Sequence, residues 1–119
     1  MIFVKVNDVL YQATINGRVS DSAWDNRESK SISLEMDYMT AIKLFVNGLS
    51  WSIVQREEVP VYDDKGEQTG VTIQDTEFDN SEYFIAGDIT DHRDGTITVK
   101  MGKLTDLEEA YETMLGGIE

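Results

Sequence analysis

Two runs of alternating apolar and polar residues, 83–90 and 96–101, lie on either side of Asp94-Gly95. This alternation constrains the fold most, because a period of two places one face of each strand on a core and the other toward water. Asp-Gly between two such runs favours a hairpin, since Gly accepts the positive φ that the turn needs. The sequence therefore predicts a β-hairpin here, and a longer, bulged loop around His92 stays open.

A capped helix is predicted directly after this hairpin. Thr105 suits the N-cap, and Glu108 lies three residues later, which makes a capping box. Apolar residues from Leu107 to Met114 then recur at helical spacing along one stripe. We expect the helix to pack this stripe on the sheet. The side chains expected to be buried together are Ile85, Ile97, Val99, Leu107 and Met114.

The rest of the chain gives strand, turn and helix signals that follow from alternation and from turn residues. In chain order they are an opening hairpin over 2–15, a turn at Asn16-Gly17, a polar loop over 18–30, a strand over 31–36, a helix over 38–46 capped by Asp37, a strand over 49–56, a hairpin over 59–74 with the edge-strand residue Pro60, and a loop over 75–81. Because neither a linker nor a repeat interrupts them, residues 1–119 are expected to form a single domain. The predicted fold class is α+β, a mostly antiparallel sheet of about five to seven strands with two helices, the C-terminal one packed on the sheet.

The net charge of −13 is distributed unevenly along the chain. Residues 1–56 carry six acids and six bases, whereas residues 57–119 carry seventeen acids and four bases. Direct binding to nucleic acid or to an anionic membrane is not expected, since both need a basic surface. Two interpretations stay open: a solvated acidic surface that keeps the protein soluble, or an acidic face that docks on a basic protein.

The sequence contains no recognisable catalytic or cofactor-binding motif, so we expect neither enzymatic activity nor a cofactor. There is no Cys, which excludes thiolate catalysis and Cys-zinc sites. The single His, His92, is expected to be a turn residue, because no orienting partner or nucleophile is evident. The acidic residues around it do not follow the spacing of a calcium-binding loop, so no metal site is expected. The first residues do not have the pattern of a signal peptide, and no apolar run is long enough to cross a bilayer.

Trp24 and Arg27 are the least typical residues of the predicted 18–30 loop. An exposed Trp beside an Arg would be an anchor for a partner protein. The alternative is a Trp folded back onto the sheet, which is the commoner arrangement. Both interpretations remain open at the level of the sequence.

Three segments, AWDNRESKSISLEMDY, LFVNGLSWSIV and DNSEYFIAGDITDHRDGTITVKMGKLTDLEEA, carry a resemblance that covers nearly the whole chain. In these segments the chain resembles small uncharacterised prophage proteins of Gram-positive gut bacteria. The resemblance implies a phage or prophage origin, with a role in tail or baseplate assembly or in countering host defence. Since catalytic motifs are lacking, we expect a non-catalytic phage protein that acts through protein–protein contacts, in virion (tail or baseplate) structure or assembly. The alternative is an acidic host-takeover factor that inhibits a nucleic-acid-binding defence enzyme, like an anti-CRISPR protein or a DNA mimic. Synthesis in the host cytoplasm is expected, and incorporation into a virion stays open.

A partner-binding surface is therefore expected rather than a catalytic site. Its partner would be a protein; a basic partner and a homo-oligomer both stay open. The candidate partner-binding residues are Trp24, Arg27, Asp88, Asp91, Asp94, Glu108, Glu109 and Glu112.

Overall fold

The structure, a computed structural model, describes residues 1–116 of the chain. Seven strands and two helices form within this range. They are β1 (Ile2–Val6), β2 (Val9–Asp21), β3 (Arg27–Glu35), α1 (Tyr38–Leu44), β4 (Trp51–Tyr62), β5 (Gln68–Asp79), β6 (Ile85–Asp91), β7 (Thr96–Gly102) and α2 (Asp106–Gly116).

All seven strands belong to one antiparallel sheet in the order β5-β4-β1-β2-β3-β7-β6. The predicted α+β class is confirmed. The predicted hairpins at the start of the chain and around Asp94-Gly95 are also confirmed, as β1–β2 and β6–β7. A register shift between Ala86 and Ile89 adds a bulge to β6.

The core lies on one face of the sheet, where paired residues of neighbouring strands point the same way. Ile32 of β3 lies opposite Val99 of β7, and both are fully buried. Helix α1 covers this face with Ala41 and Phe45, which join the same core cluster. Asp37 caps α1 as predicted, because its carboxylate accepts a hydrogen bond from the Thr40 amide at 3.0 Å. The opposite face of the central strands carries mainly Ser, Thr and charged side chains, as is typical of a sheet with one solvated side.

The predicted turn at Asn16-Gly17 and the predicted loop over 18–30 are wrong. Strand β2 continues through Gly17 to Asp21, and β3 begins at Arg27, so only residues 22–26 connect them. The amides of Trp24 and Asn26 both donate to the Asp21 carbonyl, which closes a tight turn. The segment looked like a loop because its residues are mainly polar, although Asp21, Arg27 and Ser29 are buried in the structure.

The interpretation of residues 49–81 as separate short elements is also wrong. A single long hairpin, β4–β5, runs from Trp51 to Asp79, and the predicted loop over 75–81 is mostly strand. Strand β1 pairs only with residues 51–55 of β4, so residues 57–74 extend beyond the sheet as a two-stranded arm. Pro60 lies in this arm, where β4 has become an edge, and this agrees with its predicted edge position. The molecule measures 65 × 41 × 26 Å.

Helix α2 lies at the end of the sheet, but its apolar stripe does not pack as predicted. Leu107 is 81% exposed and Met114 is 67% exposed. Of the cluster predicted to be buried, Ile97 and Val99 are buried and Ile85 is half-buried. The apolar stripe does not pack on the sheet because α2 is attached to the domain through polar side chains of its first turn. The apolar side of the helix therefore stays exposed.

Candidate interaction surfaces

Trp24 is folded back onto the solvated face of the sheet, where two strand glycines leave room for its ring. A Cβ atom added to Gly102 would lie 2.8 Å from Trp24 Cζ3 and 2.5 Å from Arg27 Cδ. A Cβ added to Gly87 would lie 2.8 Å from Trp24 Cη2. With the present packing only Gly fits at these two positions, because any Cβ atom would overlap the Trp24 ring or Arg27. Trp24 is half-buried against these glycines and is therefore part of the fold.

Arg27 is buried beside this ring, with 5% of its surface exposed. Its guanidinium lies 5.0 Å from the centroid of the Trp24 ring. It also donates to Glu108 Oε1 at 2.6 Å and to the Lys103 carbonyl at 2.8 Å. Arg27 therefore joins the 22–26 turn to the start of α2, and little of it is accessible to a partner.

Glu108 has two structural roles at once. The Thr105 amide donates to Glu108 Oε1 at 2.9 Å, and Thr105 Oγ1 accepts from the Glu108 amide at 3.2 Å. The predicted capping box is therefore confirmed. The hydrogen bond from Arg27, reinforced by the Thr105 amide, lowers the pKa of Glu108 to about 2. Glu108 is thus an ionised anchor of α2, whereas Glu109 and Glu112 are exposed.

A second partly buried ion pair lies at the base of the same turn. The Asp21 carboxylate is fully buried and lies 2.8 Å from Lys100 Nζ, and it also accepts from the Ala23 amide at 3.1 Å. The hydrogen bond from Lys100 holds the pKa of Asp21 below its usual value. Sequence reasoning missed this pair, because Asp21 and Lys100 are far apart in the chain and each resembles an ordinary surface residue.

The hairpin acids mainly stabilise their own turn. Asp91 accepts from the Arg93 amide and Asp94 from the Thr96 amide, each at 2.9 Å. Hydrogen bonds from the side chain and then the amide of Thr96 lower the pKa of Asp94. Asp88 is exposed farther along β6. These contacts explain why acids occur at this turn without requiring a partner.

The two predicted acidic groups are not brought together. Asp91 and Asp94 lie near Thr96, where β7 begins, and the helix acids follow Gly102, where β7 ends. The seven residues of β7 separate these turn acids from the helix acids by roughly 20 Å, at about 3.3 Å per residue. Asp88 lies between them on β6, where Ala86 pairs with Met101 and Ile89 with Val99. Of the eight candidate partner-binding residues, the structure joins only Trp24, Arg27 and Glu108, and it joins them in an internal contact.

The most distinctive exposed surface is instead the arm, residues 57–74. Val71 and Ile73 are 55% and 61% exposed, and Tyr62 is exposed as well. The same eighteen residues carry five acids and a single base, Lys65. The sequence did indicate a hairpin here. It did not show that no other strand supports the hairpin, because that depends on where β1 ends.

Strand β5 forms one edge of the whole sheet. All twelve of its residues are exposed, and it contains neither Lys nor Pro. At the foot of the arm, Arg56 pairs with Asp75 at 2.8 Å and Lys5 pairs with Glu77 at 3.0 Å. The remaining outer edge of β5 offers backbone donors and acceptors that no strand of residues 1–116 occupies.

His92 Nε2 lies 2.7 Å from Thr98 Oγ1 on the solvated face of the sheet, beside a shallow groove lined by Thr14, Ser33 and Thr96. Within the described range, no group of three or more His, Asp or Glu side chains is placed to hold a metal ion. Neither helix there is long and apolar enough to span a membrane.

Comparison of the chain with protein-family models, with curated proteins and with solved structures found no match.

Proposed function

We propose that this chain is a non-catalytic phage or prophage protein that acts through protein–protein contacts in virion structure or assembly, at the tail or baseplate. The observation that carries the proposal is the arm. It extends from the sheet with exposed Tyr62, Val71 and Ile73 and with an open strand edge. A surface of this kind suits a protein that is fitted into a larger assembly.

Physical chemistry supports a binding role for the arm. An isolated two-stranded hairpin is at best marginally stable in water, so a long hairpin without a supporting strand gains most from a partner that covers it. Exposed β-branched and aromatic side chains on a strand edge also promote association. The outer side of α1 adds a second apolar surface, with Met39, Ile42 and Val46 exposed.

The resemblance to prophage proteins supports the phage context of this proposal. Tail and baseplate proteins work by contacts between subunits, and such contacts use apolar surfaces with strand edges rather than catalytic groups. The synthesis site that fits this role is the host cytoplasm, followed by incorporation into the particle.

A second candidate function is favoured by the charge of the arm. Five carboxylates and one Lys within residues 57–74 form an acidic projection that could occupy a basic nucleic-acid channel of a host defence enzyme. Such binding would be fast and strongly weakened by salt, since exposed charges steer the encounter and are screened over about 8 Å.

Two arm variants distinguish these functions. In the apolar variant, Val71→Thr and Ile73→Thr remove apolar surface but keep β propensity. In the charge variant, Glu57→Gln, Glu58→Gln, Asp64→Asn and Glu67→Gln remove charge. Asp63 is kept, because its carboxylate accepts from the Lys65 and Glu67 amides at the tip. Val19→Thr, at an exposed position on β2, is the matched control for the apolar variant.

The experiment is co-sedimentation of the tagged chain with phage particles from an induced lysogen. The wild type, the Val19→Thr control and the charge variant are expected in the particle fraction, and the apolar variant is expected to be lost from it. If all forms are absent from particles, and the wild type instead captures a nucleic-acid enzyme that the charge variant alone fails to capture, the host-takeover function replaces the structural one.

A further inference from the structure

We infer that the open edge of β5 pairs antiparallel with β5 of a second copy of this chain, with Thr72 on the two-fold axis. The two seven-stranded sheets then become one continuous sheet. The inference names the partner of the arm and rests on the proposal that the arm is a protein–protein contact.

The edge itself provides the first argument. Natural edge strands are usually shortened, bulged, or protected by Lys or Pro against pairing with another chain. Strand β6, at the opposite edge, is only seven residues long and carries a bulge. Strand β5 is twelve residues long and contains neither Lys nor Pro. Its carboxylates are confined to residues 75–79, and its register shift lies near Gly70, so residues 71–74 lack these protections.

Charge restricts which part of β5 can pair with its own copy. Residues 68–74 carry no charge, whereas Asp75, Glu77 and Asp79 follow at every second position. Because antiparallel pairing of identical strands reverses one of them, a two-fold axis at Glu77 would set Asp75 opposite Asp79 and Glu77 opposite itself. Like charges directly opposite each other are destabilising. The axis therefore lies within the uncharged segment.

Apolar matching then selects the axis position. Directly opposite residues in an antiparallel pair point their side chains to the same face of the sheet. Side chains alternate between faces along each strand, so opposite residues of the two identical strands must differ by an even number of positions. The two-fold axis therefore passes through a residue and not between two residues. With Thr72 on the axis, Val71 lies opposite Ile73 of the second copy. With Gln74 on the axis, Ile73 would face Asp75 and Val71 would face Glu77. Only the Thr72 register places both Val71 and Ile73 opposite apolar side chains, since an axis at Val71 would set Ile73 opposite Thr69.

The same register joins two exposed apolar patches. Within one chain, Val71 lies opposite Pro60 of β4, on the face that also carries Tyr62 and Ile73. Pairing across the axis brings this patch against its own copy, as a two-fold interface requires. The two unsupported hairpins then form one four-stranded ribbon with the β5 strands in its middle, which pairs the outer backbone groups of residues 68–76 and supports both arms.

The absence of Cys makes the register directly testable. With Thr72→Cys, the two cysteines face each other at a Cα separation of about 4.5–5.5 Å, which a disulfide spans. With Gln74→Cys, they lie four residues apart along the strands, at about 13 Å or more, so they cannot be joined. The purified chain is measured by sedimentation velocity, and each Cys variant is oxidised and then run on a non-reducing gel.

The expected results are a dimer for the wild type, a cross-linked dimer for Thr72→Cys and little cross-linking for Gln74→Cys. Ile73→Lys should shift the chain to monomer, whereas Val19→Lys, at an exposed position outside the arm, should leave it dimeric. A wild-type monomer at about a hundred micromolar, a dimer unaffected by Ile73→Lys, or cross-linking of Gln74→Cys as efficient as that of Thr72→Cys would overturn the inference. A monomer that still sediments with phage particles would overturn this inference alone, and a dimer absent from particles would reject only the proposed function.

Discussion

The Arg27 guanidinium lies 2.6 Å from Glu108 Oε1, and this contact ties the first residue of β3 to the first turn of α2. The apolar side chains of the helix, Leu107, Tyr111 and Met114, are exposed. The ion pair is therefore the main side-chain contact between α2 and the sheet, and the Thr105 cap holds the first turn that carries Glu108. Loss of either contact should loosen the helix while the sheet stays folded.

The first prediction concerns pH. The pKa of Glu108 falls from 4.5 to about 2 on folding, so its contribution to stability is present above pH 4.5 and is lost as pH falls from 4.5 toward 2. The amide resonances of α2 should therefore move toward unfolded positions in that window. Glu108→Gln should loosen α2 already at pH 7 and abolish the transition. The control Glu112→Gln should behave like the wild type, and identical pH profiles for Glu108→Gln and the wild type would disprove the role assigned to the ion pair.

The second prediction concerns the helix cap. Thr105→Ala should cost about 1 kcal/mol, because the Glu108 amide loses its acceptor. Since α2 is fastened at one end only, this cost should appear as faster amide hydrogen exchange within α2, with little change in the global urea midpoint. Thr113→Ala is the matched control, because Thr113 Oγ1 donates only to the carbonyl of Glu109 within the helix. Equal protection of α2 in Thr105→Ala and in the control would show that the cap is dispensable.

The third prediction contrasts an exposed with a buried apolar residue. Leu107→Ala should change the free energy of unfolding by no more than about 0.5 kcal/mol, as is usual for exposed positions. Ile97→Ala should cost about 2–5 kcal/mol, because Ile97 is buried in the core. Urea unfolding of both variants measures the difference. A large decrease in the free energy of unfolding for Leu107→Ala would mean that the apolar stripe of α2 packs on the sheet in solution.

The fourth prediction concerns the seat of Trp24. Gly102→Ala should destabilise the protein by about 1–3 kcal/mol, because the new methyl group overlaps the Trp24 ring and Arg27 Cδ. Gly17→Ala should not be destabilising, since no atom lies within 4 Å of its Cβ position. Fluorescence in a Trp51→Phe background reports on Trp24 alone, because the chain contains two Trp residues. Unchanged emission and stability in Gly102→Ala would place the ring elsewhere.

Local sequence signals predicted those parts of the fold that local physics determines. The alternation around Asp94-Gly95 and the capping pair Thr105–Glu108 each act over a few residues, and both predictions are confirmed. The apparent turn at Asn16-Gly17 misled because Gly there lies in a solvated strand, where pairing with β3 outweighs its turn preference.

Features that depend on contacts between distant residues could not be predicted from the sequence. Glu108 was recognised as a capping residue, but its partner Arg27 lies 81 positions away, and nothing local marks that Arg as buried. The stripe from Leu107 to Met114 is amphipathic, yet periodicity shows only that a face exists and not what covers it. The projection of the arm likewise depends on the length of β1, which is remote from it in the chain.

The arm also separates the residues that bind a partner from the residues that stabilise the fold. In most domains the same residues must do both. Residues 57–74 lie outside the core cluster, so substitutions there leave the packing of Ile32, Val99 and Trp51 untouched. Mutations can therefore accumulate in the arm without lowering the stability of the domain. A lineage carrying this protein could change what the arm recognises in single steps, while selection for folding acts on a different part of the chain.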